Sequence, residues 1–126
     1  MPKKVLVRTA VPGETASDRK LLADITDISE APAPSEKSDG ILLSRNEYIH
    51  LLFEVSGSAT PNFYVQMWWY SPISGLWHQG ELLSINANDI NTFEVQGLDR
   101  LALEVTSITG PDTPTLSAWV GLVVPV

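Results

Sequence analysis

Asn62 to Gln79, NFYVQMWWYSPISGLWHQ, is the stretch on which the fold turns. Three of the four tryptophans lie here (Trp68, Trp69 and Trp77), beside Phe63, Tyr64 and Tyr70. Two apolar runs flank Ser71-Pro72-Ile73-Ser74-Gly75, where proline and glycine mark a turn. Side chains on a strand alternate between its two faces. The first run therefore divides. Phe63, Val65, Met67 and Trp69 face a core, and Tyr64, Gln66, Trp68 and Tyr70 face away from it.

The same period continues on both sides. Upstream, Ile41 to Arg45 is a short strand, and Tyr48 to Val55 sends Ile49, Leu51, Phe53 and Val55 inward. Downstream, Leu76 to Glu81 and Leu82 to Ile85 read as two short strands, ended by the turn Asn86-Ala87-Asn88-Asp89. Ile90 to Gln96 places Phe93 and Val95 inward. Arg100 to Ile108 buries Leu101, Leu103 and Val105. Thr115 to Val124 carries Leu116, Ala118, Val120, Leu122 and Val124 on one face, and Ser117, Trp119, Gly121 and Val123 on the other. Short strands at turn intervals of roughly 8–12 residues, with no long helical period, predict an all-β antiparallel sandwich. A jelly roll is preferred over an immunoglobulin-like sandwich, because the Cys…Trp…Cys pattern of the latter is absent.

Residues 1–39 differ in texture and are expected to form an extended N-terminal arm, with the sandwich domain at 40–126. Lys3 to Thr9 alternates like a short strand. Leu21, Ile25 and Ile28 fit a short helix, while Asp24 to Ile28 equally fits an edge strand. Ala31-Pro32-Ala33-Pro34 has no freedom to be helical, since each residue before a proline is pushed to extended backbone. Such an arm lies either on a neighbouring subunit or around its own barrel.

Charge follows the same division. The first 20 residues hold five basic and two acidic side chains, a net +3, whereas the rest hold three basic and thirteen acidic, a net -10. An acidic body repels polyphosphate, so no nucleic-acid partner is expected. No secretion leader is expected either, since Arg8 interrupts the apolar run after Val5-Leu6-Val7. The weakly charged stretch from Thr113 to Val126 holds two prolines and is too short to span a membrane as a helix, so no membrane partner is expected.

Chemistry is sparse. There are no cysteines, which removes disulfides, thiolate metal sites and cysteine nucleophiles together. The two histidines, His50 and His78, show no metal-ligand spacing, so neither a metal nor another cofactor is expected. Glu81, Glu94 and Glu104 lie on strands, where alternating carboxylates ordinarily form a solvated face rather than a hydrolytic pair. No nucleophile elbow or phosphate-binding loop is present, and a non-enzymatic role is expected.

The outward aromatics are the functional signal. Tyr64, Trp68 and Tyr70 on one face exceed what an ordinary monomer exposes. Trp77 and Trp119 join them as candidates. A subunit interface, where tryptophan and tyrosine are enriched, is the preferred reading. A sugar-stacking platform and cover by residues 14–39 are the alternatives.

Four stretches carry a resemblance: GILLSRNEYIHLLFEVSG, FYVQMWWYSPISGLWHQGE, FEVQGLDRLALEVTSITG and TLSAWVGLV. Trp77 follows a short turn. Then come Gly97, Asp99, Arg100, Leu101, Leu103, Val105, Thr106, Ile108 and Gly110, and finally Leu116, Ser117, Ala118 and Trp119. Residues 40–126 in this respect resemble small β-sandwich structural proteins of tailed bacteriophages. The resemblance implies a virion component made in the host cytoplasm, most simply a capsid decoration (cement) protein on the shell surface. A head-fibre or tail subunit that binds a glycan or receptor is the alternative. It implies a homo-oligomer, with a trimer preferred, whose other partner is the major capsid protein or another virion protein. The functional residues would then be interface residues.

Overall fold

The structure is a computed structural model that describes residues 19–43, 48–95 and 98–123. Among these residues eight strands form: β1 (Arg19–Ile25), β2 (Ile41–Leu42), β3 (Tyr48–Ser56), β4 (Asn62–Ser71), β5 (Leu76–Ile85), β6 (Asp89–Glu94), β7 (Arg100–Thr109) and β8 (Thr115–Val123). They build two four-stranded sheets, ordered β1-β8-β3-β6 and β2-β7-β4-β5, and every pairing is antiparallel. The all-β antiparallel sandwich is the observed architecture. Four of the pairings nest: β4 with β5, β3 with β6, β2 with β7 and β1 with β8. The chain thus runs as one long hairpin rolled across the two sheets. The strand expected at Lys3 to Thr9 lies outside the described residues, as do the ends of three others at Arg45, Gln96 and Val124.

Alternation explains the core. Leu51, Phe53 and Val55 of β3 lie opposite Val120, Ala118 and Leu116 of β8 within one sheet. Val65, Met67 and Trp69 of β4 lie opposite Val105, Leu103 and Leu101 of β7 within the other. Phe53, Phe63, Ile49, Leu51, Val65, Met67, Leu101, Leu116 and Val120 are all at 0% exposure, so these side chains are closed off from bulk solvent. Each such side chain contributes roughly 1.5–3 kcal/mol through burial. Trp69 also faces inward and closes one margin, its ring 6.3 Å from that of Phe93 in an edge-on arrangement.

Two bulges reset the alternation. Gln66 pairs with Leu82 but Trp68 pairs with Gln79, so β5 carries one extra residue. The extra residue turns the two short strands expected at 76–81 and 82–85 into one bent ten-residue strand. Gly80 sits at the bend because a Cβ there would collide with the Trp69 ring. The Gln66 amide nitrogen fills the gap, 3.0 Å from the Met67 carbonyl oxygen and 2.9 Å from that of Gly80. A second bulge lies in β7, where Tyr64 pairs with Ser107 but Val65 with Val105. The intervening Thr106 donates its hydroxyl to the Tyr64 carbonyl.

Residues 19–39 pack on their own chain. β1 is an edge strand on β8, with Leu22 and Ile25 buried; Leu21 and Ile25 are strand rather than helix, and of the edge strand expected at Asp24 to Ile28 only Asp24 and Ile25 belong to it, since Ile28 opens a 3-10 turn. Asp24, at φ 50, leaves the regular strand path, and its backbone N–H and carboxylate both bond the Ser117 hydroxyl. The chain then crosses to the other sheet through 3-10 turns at Ile28–Glu30 and Lys37–Asp39. Between them Ala31 is buried, and its carbonyl accepts the Val105 N–H at 3.0 Å.

Candidate functional site

The outward residues of β4 lie in register with those of β5 and β7. One row holds Trp77, Tyr70, Arg100 and Leu42; the next holds Gln79, Trp68 and Ala102. Beyond them come Leu82, Gln66 and Glu104, then Ser84, Tyr64 and Ser107. This outer face of the β2-β7-β4-β5 sheet brings together four of the five candidates: Tyr64, Trp68, Tyr70 and Trp77.

The four do not share one environment. Tyr70 and Trp77 form an edge-on pair, with ring centroids 5.3 Å apart. The turn at 37–39 covers that end of the sheet. Lys37 holds its ammonium 5.5 Å from the Tyr70 centroid, and the Trp77 indole N–H donates to the Glu36 carbonyl at 3.0 Å. Arg100 donates to the Gly40 carbonyl at 3.0 Å. A Cβ at Gly40 would run into the Trp77 ring, so glycine is what lets the segment lie this close. Tyr70 and Trp77 are therefore packed within one chain, which answers for them the question of cover by the N-terminal segment.

Trp68 and Tyr64 lie beyond that cover. Trp68 is half-buried and reaches across β7, its indole N–H donating to Glu104 Oε1 at 2.9 Å. Ala102, its register partner, is buried on what is otherwise the solvent side of β7. A charge-assisted bond of this kind holds the indole in one orientation. Tyr64 is 39% exposed and Leu82 57% exposed, and together with Trp68 they form an open apolar band. Leu42 adds to the face from β2 and is also exposed. Leu82 escapes a reading by strand alternation, because the β5 bulge is what sets its outward direction.

Trp119 is separate. It lies on the outer face of the other sheet, in register with Leu52, which is in turn in register with Ile90. That row is a second apolar strip, with Ile90 62% exposed. The β4–β5 turn adds exposed Ile73 and Leu76, held by a turn in which Ser71 Oγ accepts the N–H groups of Ile73 and Ser74.

Elsewhere the chemistry is thin. An open cleft of about 480 Å³ is lined by Thr26, Asp27, Ile28, Thr106, Ser107, Ile108, Gly110 and Pro114, with a single carboxylate. His78 bonds Ser74 at 2.8 Å, both of them exposed at the turn. Among the described residues no three histidines or carboxylates gather as a metal site, and no helix is long and apolar enough to cross a membrane. Among the described residues two carboxyls are held below their ordinary range, both by structural partners. Glu30 is lowered by the backbone N–H groups of Thr26 and Asp27, and Asp39 by those of Glu36 and Ser35.

No protein-family model matches the chain, and no curated protein matches it. A solved structure is similar in fold: the crystal structure of the SPBc2 prophage-derived protein YomS, with 17% sequence identity and a TM-score of 0.50. The similarity covers 90% of this chain and 100% of that one. At this identity the likeness is one of fold.

Proposed function

We propose that this chain is a non-enzymatic structural protein of a bacteriophage particle, and specifically a capsid decoration protein that docks on the shell and stabilises it. We read its nested strand order as that of a jelly roll. The observation that carries the proposal is the open band of Tyr64, Trp68 and Leu82 on a rigid sheet. Interfaces draw on such rigid aromatic anchors, and ordering Trp68 in advance through Glu104 reduces the entropy lost on docking. The fold likeness to a prophage-derived protein supports the phage assignment. The acidic body suits a basic partner surface.

Co-sedimentation with shells assembled from the major capsid protein of the phage that carries this gene tests the reading. The chain is expected to pellet with the shells, and Trp68→Ala combined with Leu82→Ser to abolish pelleting without unfolding the protein. Pelleting that is indifferent to both changes contradicts the assigned face.

A second reading has its own support. An indole fixed by a carboxylate and open to one side also suits stacking on a pyranose ring, as in a receptor-binding module of a head fibre or tail. A glycan array separates the two: binding lost in Trp68→Ala favours the sugar platform, and an empty array favours the shell.

A further inference from the structure

The two sheets have four outer strands, β1, β6, β2 and β5, and three of these edges are guarded. β1 is broken by two register shifts and by Asp24 at φ 50. β2 is two residues long. β6 is six residues long and ends in Asp89 and Glu94. Short length, irregularity and charge are the usual means by which an edge is kept from pairing with another chain. β5 is ten residues long, has no lysine and no proline, and carries one formal charge, Glu81. Its bulge is confined to Gly80 and Glu81, where Gln66 plugs it. Past the bulge, Leu82 to Ile85 run in regular register with β4, and among the described residues no strand pairs with their other side.

We propose that β5 pairs with β5 of a second copy, antiparallel about a two-fold axis at Leu83. The two β2-β7-β4-β5 sheets then continue as one sheet of eight strands. The strand is complementary to itself in this register. Leu82 meets Ser84 of the second copy, Leu83 meets Leu83, and Glu81 meets Ile85, so no like charges stand opposite each other. A register centred on Glu81 would oppose two carboxylates and is disfavoured. The chosen register also places both copies of Leu82 on one outer face beside the axis. The two apolar bands of Tyr64, Trp68 and Leu82 become contiguous there. Self-association by this edge makes a two-fold pair, and it replaces the trimer suggested by resemblance. It rests on the strand edge and stands whether or not the outer face binds a shell.

Two measurements on the full chain test it. Light scattering over a concentration series is expected to give twice the monomer mass. Leu82→Lys, which sets two ammonium groups diagonally across the axis, is expected to weaken association at least tenfold, while Ile90→Lys on the β6 edge leaves it unchanged. Because the chain lacks cysteine, Ser84→Cys accepts a single spin label. Two labels on strands roughly 5 Å apart give strong dipolar broadening that dilution with unlabelled protein removes. A monomer at every concentration, a three-copy mass, unbroadened spectra, or dissociation by Ile90→Lys but not by Leu82→Lys overturns the proposal. Failure here leaves shell pelleting by the wild-type chain untouched, so the two ideas fail separately.

Discussion

Gly40 and Trp77 mark a close approach between the N-terminal segment and the sheet. Gly40→Ala is expected to destabilise the protein by about 1–3 kcal/mol, the usual cost of overpacking, as read from urea denaturation. The indole N–H signal of Trp77 should shift at the same time, because the ring must leave its bond to Glu36. Phe53 shows the opposite sensitivity. It is fully buried between the sheets, and Phe53→Ala is expected to cost about 3–5 kcal/mol. Leu82→Ser, on the exposed band, is expected to stay within about 0.5 kcal/mol of wild type, which makes it a usable docking variant.

The crossing segment 26–40 is expected to respond to pH. Glu30 and Asp39 each reach back to the N–H groups that open their 3-10 turns, and both carboxyls titrate below their ordinary values of 4.5 and 3.8. A carboxyl lowered in the folded state contributes stability that is present above its ordinary value and is lost as pH falls through the lowered one. Acidification below about pH 4 is thus expected to loosen residues 26–40 before the sandwich opens. Amide exchange at Glu30, Glu36 and Asp39 should rise first, while amides of β3 and β8 remain protected. Simultaneous loss of protection in both regions would contradict a separately anchored crossing.

Strand period made the fold of the whole molecule legible. The inward sets of β3, β4, β7 and β8 follow directly from alternation, as Phe53, Met67, Leu103 and Ala118 illustrate. Two features were not legible. The joint burial of Leu22 and Ile25 departs from strand period because Asp24 and two register shifts bend β1, while Ile28, the third member of the helix-like spacing, is exposed in a 3-10 turn. Gly80 gave no sign of a bulge, because its role depends on Trp69, eleven positions earlier in the chain and next to it in space. The candidate site was legible in part. Tyr64 and Trp68 do share an open face, but Tyr70 and Trp77 are packed under a segment whose path depends on long-range contacts at Gly40 and Glu36. Trp119 faces the other way.

The sheet face bearing Trp68 is the proposed docking surface for a phage shell. Pelleting of purified protein with shells of the major capsid protein of the phage that carries this gene tests it most directly. The account predicts saturable binding by wild type and none by the Trp68→Ala, Leu82→Ser double variant with its fold intact. Saturable binding by that variant equal to wild type, or no binding by wild type at any concentration, would contradict it.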